Sequence, residues 1–130
     1  MDRKILIKSS WRFPVDRKRI KAHLEKQLAS FGLNSALELS VAFVGQRKMR
    51  SLNQVYRQLD KVSEVLSFSQ LEEKGTNDFI NAPEETLFLG DIVVCYPEAQ
   101  RLAAQHQILV DKQIDDLLTH GLTTLLKGED

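Results

Sequence analysis

In the C-terminal segment IDDLLTHGLTTLLKGED, Ile114 to Asp130, one imidazole stands where a metal-holding helix would carry two. Ile114, Leu117, Leu118, Gly121, Leu122 and Leu125 recur at the spacing of one helix face. His120 and Thr124 lie four residues apart on one flank of that stripe, so their side chains point the same way. Two histidines at this spacing are a common means for a helix to bind a metal. Here Thr124 replaces one of them with a neutral hydroxyl. A second polar pair, Asn53 and Arg57, shares a flank of a mid-chain helix at the same i, i+4 spacing. The plain alternatives are a helix-flank histidine with no ligand, and an arginine meeting the last carbonyls of its own helix.

The elements that would carry these groups can be read in order. KILIK, Lys4 to Lys8, predicts a first strand. Pro14 predicts the opening of a helix whose buried face is Ile20, Leu24, Leu28 and Phe31, ended by Gly32 and Asn34. His23 belongs on the rim of that face as a half-buried structural histidine. LELSVAFV, Leu37 to Val44, predicts a second strand broken by Gly45. A helix follows from Gln46 to about Gln58, with Met49, Leu52 and Tyr56 as its apolar stripe. Asp60 and Lys61 suit a turn, and Val65 to Phe68 a short third strand. Residues 69–85 are polar and punctuated by Gly75, Asn77, Asn81 and Pro83, which predicts a long loop. Thr86 to Tyr96 reads as a fourth strand interrupted at Gly90-Asp91. Pro97 starts a helix through about Gln107, and Asp111, Asp115 and Asp116 load the start of the last helix with charge that suits its dipole.

The resulting order is β, α, β, α, β, β, α, α. It predicts an α+β fold: a small mixed four-stranded sheet with helices packed on it, formed by residues 1–130 as a single domain. The first two crossings should give parallel neighbours or near-neighbours. The third and fourth strands fit an antiparallel hairpin across the long loop.

A length of 130 residues is enough to bury a core. No apolar run approaches the roughly 18 residues of a membrane span, and MDRKILIKSS lacks an apolar core of signal-peptide length. The lone Cys95 cannot form an internal disulfide, so a reducing, cytoplasmic setting is the default. Eighteen basic and eighteen acidic residues balance, so net charge alone does not point to nucleic acid. The distribution is uneven: Arg12, Arg17, Lys18, Arg19, Lys21 and Lys26 cluster early, and Arg47, Lys48, Arg50, Arg57 and Lys61 again before the middle. A phosphate-binding patch and two solvated helix faces are both compatible with this pattern.

Three segments carry a family resemblance. LNQVYRQLDKVSEVLSF, Leu52 to Phe68, is similar to a pattern of a helix ending in asparagine, aromatic and arginine, then a turn and a strand. LGDIVVC, Leu89 to Cys95, resembles the strand that follows it, and THGLTTLLKGED, Thr119 to Asp130, resembles the end of a signature helix. The family is YbeY, the bacterial endoribonuclease also called the ribosomal RNA maturation factor. The resemblance covers most of the chain from Leu52 onward and implies a sheet like those of metalloproteases. No HExxH motif is present.

The family signature places three histidines around one zinc-type ion. Aligned without gaps, His120 and Gly121 match its first two positions, Thr124 stands at the second histidine and Asp130 at the third. Lys127 and Gly128 replace a glycine-aromatic pair, and Glu129 replaces an aspartate. In the other register, with Gly128 as the family glycine, Asp130 falls on the aspartate. Arg57 matches the family arginine that lies near the metal cleft and holds phosphate. Val62, Ser63 and Glu64 stand where the family has proline, threonine and aspartate. The resemblance thus implies an endoribonuclease acting on ribosomal RNA or at the small ribosomal subunit. Arg57 would bind phosphate, and His120, with Asp130, would hold zinc weakly or not at all. The alternative is an RNA- or ribosome-binding relative that has lost the metal and its catalysis.

Overall fold

The structure, a computed structural model, describes residues 3–33, 35–70 and 86–128. Its elements run β1 (Arg3–Lys8), α1 (Arg17–Ser30), β2 (Leu37–Val44), α2 (Gln46–Arg57), β3 (Val65–Ser69), β4 (Leu87–Cys95), α3 (Tyr96–His106) and α4 (Val110–Lys127). The predicted order and the α+β class hold. The helix starts differ in detail. Pro14 lies outside α1, where its carbonyl accepts from the Tyr96 hydroxyl at 3.0 Å. Asp16 caps the helix instead, its carboxylate accepting from the Arg19 N–H at 3.1 Å. Asn34, most of the predicted loop, Glu129 and Asp130 lie outside the described residues.

The four strands form one sheet in the order β1-β2-β4-β3. β1 with β2 and β2 with β4 are parallel, while β3 runs antiparallel to β4 as an edge strand. The hairpin expectation therefore holds, but the second crossing does not deliver a parallel strand. β2 takes β4 as its parallel neighbour, and the short β3 is turned back onto the outer edge. The interruption read at Gly90 is a bulge: the β2–β4 register slips between Glu38 and Leu39, and Gly90 has φ +139°. A Cβ there would sit 2.2 Å from the Phe68 carbonyl oxygen, so the close approach of β3 demands glycine.

The main core lies between one face of the sheet and the helices α1 and α4. Ile20, Leu24 and Leu28 of α1 meet Leu39, Val41, Ile92 and Val94 of the sheet and Ile114, Leu118 and Leu122 of α4. Each fully buried aliphatic side chain contributes roughly 1.5–3 kcal/mol over its exposed state. His23 is half-buried and bonds Thr119 Oγ1 at 2.9 Å, the structural place its position predicted. Arg19 is tied to Asp115 at 2.6 Å, and Arg17 bonds the Ile7 carbonyl, so part of the early basic cluster works in the frame. The other sheet face carries a smaller cluster of Met49, Leu66, Val93 and Cys95 under α2. Burial there pushes the Cys95 thiol above its ordinary pKa.

α4 packs unusually close to the sheet at Gly121. A Cβ there would fall 2.8 Å from the Ile92 Cγ2, 3.2 Å from Ser67 Oγ and 3.3 Å from the Val65 Cγ2. Because that space is empty, the Ser67 hydroxyl donates to the Gly121 carbonyl at 2.8 Å. The helix ends where Gly128 turns left-handed, φ +71°, and returns its N–H to the Thr124 carbonyl at 2.7 Å.

Two substitutions test this packing by urea unfolding. Gly121→Ala should lower stability by about 1 kcal/mol, because overpacking costs about 1–3 kcal/mol against a helix-propensity gain near 1 kcal/mol. A stabilised variant would show that α4 has slack against the sheet. Gly90→Ala should cost about 2–3 kcal/mol, since φ strain and a main-chain clash act together. Unchanged stability would show that the bulge is not fixed.

Candidate functional site: a groove along the edge of β3

Three elements meet at the open edge of the sheet. From α4, the buried stripe of Leu117, Leu118, Gly121 and Leu122 leaves His120 exposed and Thr124 half-buried on its flank. From α2, the last turn presents Tyr56 and Arg57. Between them runs the edge strand. Tyr56, Arg57, Lys61, the continuous run Ser63 to Phe68, Leu117, His120 and Thr124 line one groove of about 500 Å³. The sequence-predicted pair Arg57 and His120 is therefore brought together, from helices more than sixty positions apart. Asp130 lies outside the described residues.

Asn53 fixes the α2 side of this groove. It is fully buried, whereas Arg57, four residues on, is exposed. Gln58 adopts φ +55° and closes the helix by donating its N–H to the Asn53 carbonyl, to which Leu59 also donates at 3.1 Å. The Asn53 side-chain amide donates to the Lys61 carbonyl at 2.9 Å and to Ser63 Oγ at 3.0 Å. The turn from 58 to 63 is thus folded back against α2, which sets Lys61 beside Arg57. In sequence Lys61 suits a turn and belongs to the mid-chain basic cluster, and this knot gives it its place in the groove.

Charge in the groove is mainly positive. Among the described residues no hydrogen bond or ion pair takes up the side chains of Arg57, Lys61 or His120. Among the described residues Glu64 is the one carboxylate lining it, and Arg101 of α3 stands 3.8 Å away. Tyr56 is 61% exposed and rests its ring edge against Phe68, with centroids 5.2 Å apart. This makes a fixed aromatic rim. Cys95 is buried under α2 and does not reach the groove.

The edge of β3 adds main-chain groups. The Cys95 N–H donates to the Glu64 carbonyl at 2.9 Å, and the Gln70 N–H to the Leu89 carbonyl at 3.0 Å. With the β3–β4 register, these bonds fix the alternation: Leu66 and Phe68 turn their N–H and C=O toward β4, and Val65 and Ser67 turn theirs outward.

The donor set does not fit a three-imidazole zinc site. His120 brings one imidazole, Thr124 offers a hydroxyl, and among the described residues no group of three or more His, Cys, Asp or Glu is placed to hold an ion. A second concavity of about 620 Å³ on the α2 face is lined by Lys8, Ser40, Asp91 and Phe68 among others, and there Ser40 bonds Asp91.

Comparison with known proteins places this groove in a lineage. The family model described as Endoribonuclease YbeY matches residues 7–127. An Endoribonuclease YbeY of Dehalococcoides mccartyi is 32% identical over 97% of this chain and 79% of its own length. One of Staphylococcus aureus is 32% identical over 93% of this chain and 74% of its own. The solution structure of TM1509 from Thermotoga maritima shares the fold, with a TM-score of 0.59 at 22% identity, covering 93% of this chain and 71% of that one. With the match running through both walls of the groove, the chain belongs to the Endoribonuclease YbeY family.

Proposed function

We propose that this protein is an endoribonuclease of the YbeY type that acts on ribosomal RNA, with the small ribosomal subunit as its partner. The observation that carries the reading is the convergence of Arg57 and His120 in one groove. The guanidinium fork matches two oxygens of one phosphate, and Lys61 adds a point charge beside it. His120 is the groove's proton-transfer group, able to accept or donate at an oxygen of the phosphodiester. Tyr56 supplies a face on which a base can stack. The relatives that carry the name Endoribonuclease YbeY support the activity, and the cationic lining supports a polyanionic substrate.

A second reading is favoured by Thr124. A wall that offers a hydroxyl in the place of an imidazole suits a protein that binds RNA without cutting it. Zinc would belong to the first reading as a weakly held ion, and the second reading has lost it. Asp130 would be its remaining ligand beside His120.

Arg57→Ala should weaken binding to a single-stranded RNA and lower the slope of log affinity against log salt by about 0.7, the value for one lost phosphate contact. An unchanged slope would remove Arg57 from the site. His120→Ala should abolish cleavage of a ribosomal RNA fragment while binding persists. Wild-type protein that binds the fragment and leaves it intact decides for the second reading. Thr124→His should tighten zinc by more than about tenfold in competition with a chromophoric chelator, since even outer partners of a metal ligand are worth about 10–100-fold. Equal affinities would show that Thr124 does not face a metal position.

A further inference from the structure

The groove has a feature that neither the histidine nor the arginine explains. Six consecutive residues, Ser63 to Phe68, line it. Side chains of a strand alternate between faces, so a continuous run can line one recess only where that recess lies across the strand's edge. Leu66 is buried toward α2, while Val65 and Ser67 lie under α4. What the run presents in common is its backbone.

That backbone is unpaired at two positions. The register turns the N–H and C=O of Val65 and Ser67 away from β4, and no described hydrogen bond takes them up. Open strand edges are usually blunted by charge, proline or a covering element, because their free donors and acceptors recruit other chains. Here α2 and α4 flank the edge, and among the described residues nothing covers it between them. The two outward N–H groups stand two residues apart, about 6.8 Å along the strand.

We infer that the outer edge of β3 is the track along which a single strand of RNA lies, with the N–H groups of Val65 and Ser67 donating to its phosphate oxygens. Main-chain amides are regular phosphate partners and carry no base preference. They are flanked by Arg57 and Lys61, so an anionic strand is favoured over a peptide. Tyr56 at the rim takes a base by stacking. The recess has the size of a small-molecule pocket, so it admits unstacked nucleotides and not an intact duplex. This deepens the RNA reading above and rests on it.

The test is amide hydrogen exchange of wild-type protein, resolved by residue, with and without a saturating single-stranded oligouridine. In the free protein the Val65 and Ser67 amides should exchange fast, and those of Leu66 and Phe68 slowly. The oligouridine should slow the first pair by about tenfold or more and leave the second pair as it was. Binding of the oligouridine, seen by anisotropy, without protection of Val65 and Ser67 overturns the track and leaves the RNA reading standing. No binding at all overturns both. Protection by an extended capped oligo-threonine peptide, and not by RNA, also overturns it and assigns the edge to strand addition. Val65→Pro removes one outward donor without touching the ladder to β4, a place where edge strands accept proline. If it folds, it should bind oligouridine several-fold more weakly with Arg57 intact. Unchanged affinity in a folded Val65→Pro would remove that donor from the track.

Discussion

The missing Cβ of Gly121 sets the height of α4 above the sheet, and the groove follows from that height. With any side chain there, the helix would meet Ile92, Val65 and Ser67 at once. Three neighbours from two strands cannot all give way, as a single flexible side chain could. The helix backbone instead settles close enough for Ser67 to bond the Gly121 carbonyl. His120 precedes that point by one residue, so its position over the β3 edge is inherited from a packing contact. Gly121 thereby acts as a gauge between imidazole and edge strand, although it does not itself line the groove.

The opposite wall is built by a different device and is energetically separate. Asn53 gathers the turn after α2 through its carbonyl and its side-chain amide. A buried amide with its donors committed is costly to move, because each donor left unmade would carry a desolvation penalty of about 1–3 kcal/mol. The short β3 then starts at Val65 in a fixed register, and Arg57 and Lys61 are held on the near side of it. The two walls share β3 and little else. Disturbing Gly121 should shift the imidazole and leave the cations in place, whereas disturbing Asn53 should do the reverse.

Much of this was legible from residues. The spacing of Ile114, Leu118, Leu122 and Leu125 gave the last helix, the run of strand formers Leu37–Val44 gave the second strand to its observed ends, and Gly90 marked the bulge of the fourth. Local patterns are enough for such features because each depends on a period of two or 3.6. Strand order was not legible, because which edge β3 joins depends on packing between segments far apart in sequence. The sequence therefore set β2 and β3 as parallel neighbours or near-neighbours, whereas β3 lies one strand beyond and runs the other way, and it said nothing of an open edge. The burial of Asn53 was not legible for a related reason. A polar residue on a helix suggests solvent, and only the returning turn makes burial affordable by bonding it. Lys61 was likewise invisible as a groove residue until that turn was closed.

The separation of tasks in the groove explains how Thr124 can be tolerated in this family. In the proposed reading, holding an RNA strand would draw on the guanidinium, the lysine, the aromatic rim and main-chain donors, none of which lies on α4. Proton transfer would draw on His120, and metal binding on a set of imidazoles that must all point at one atom. The second set is the more fragile, because a coordination site fails when a single donor changes. A binding surface made of several modest contacts loses only a fraction of its affinity with each one. On this reading a hydroxyl at position 124 would weaken a metal and leave the strand-holding groups whole. The chemistry left to the groove then depends on what one imidazole and two cations can do at a phosphodiester.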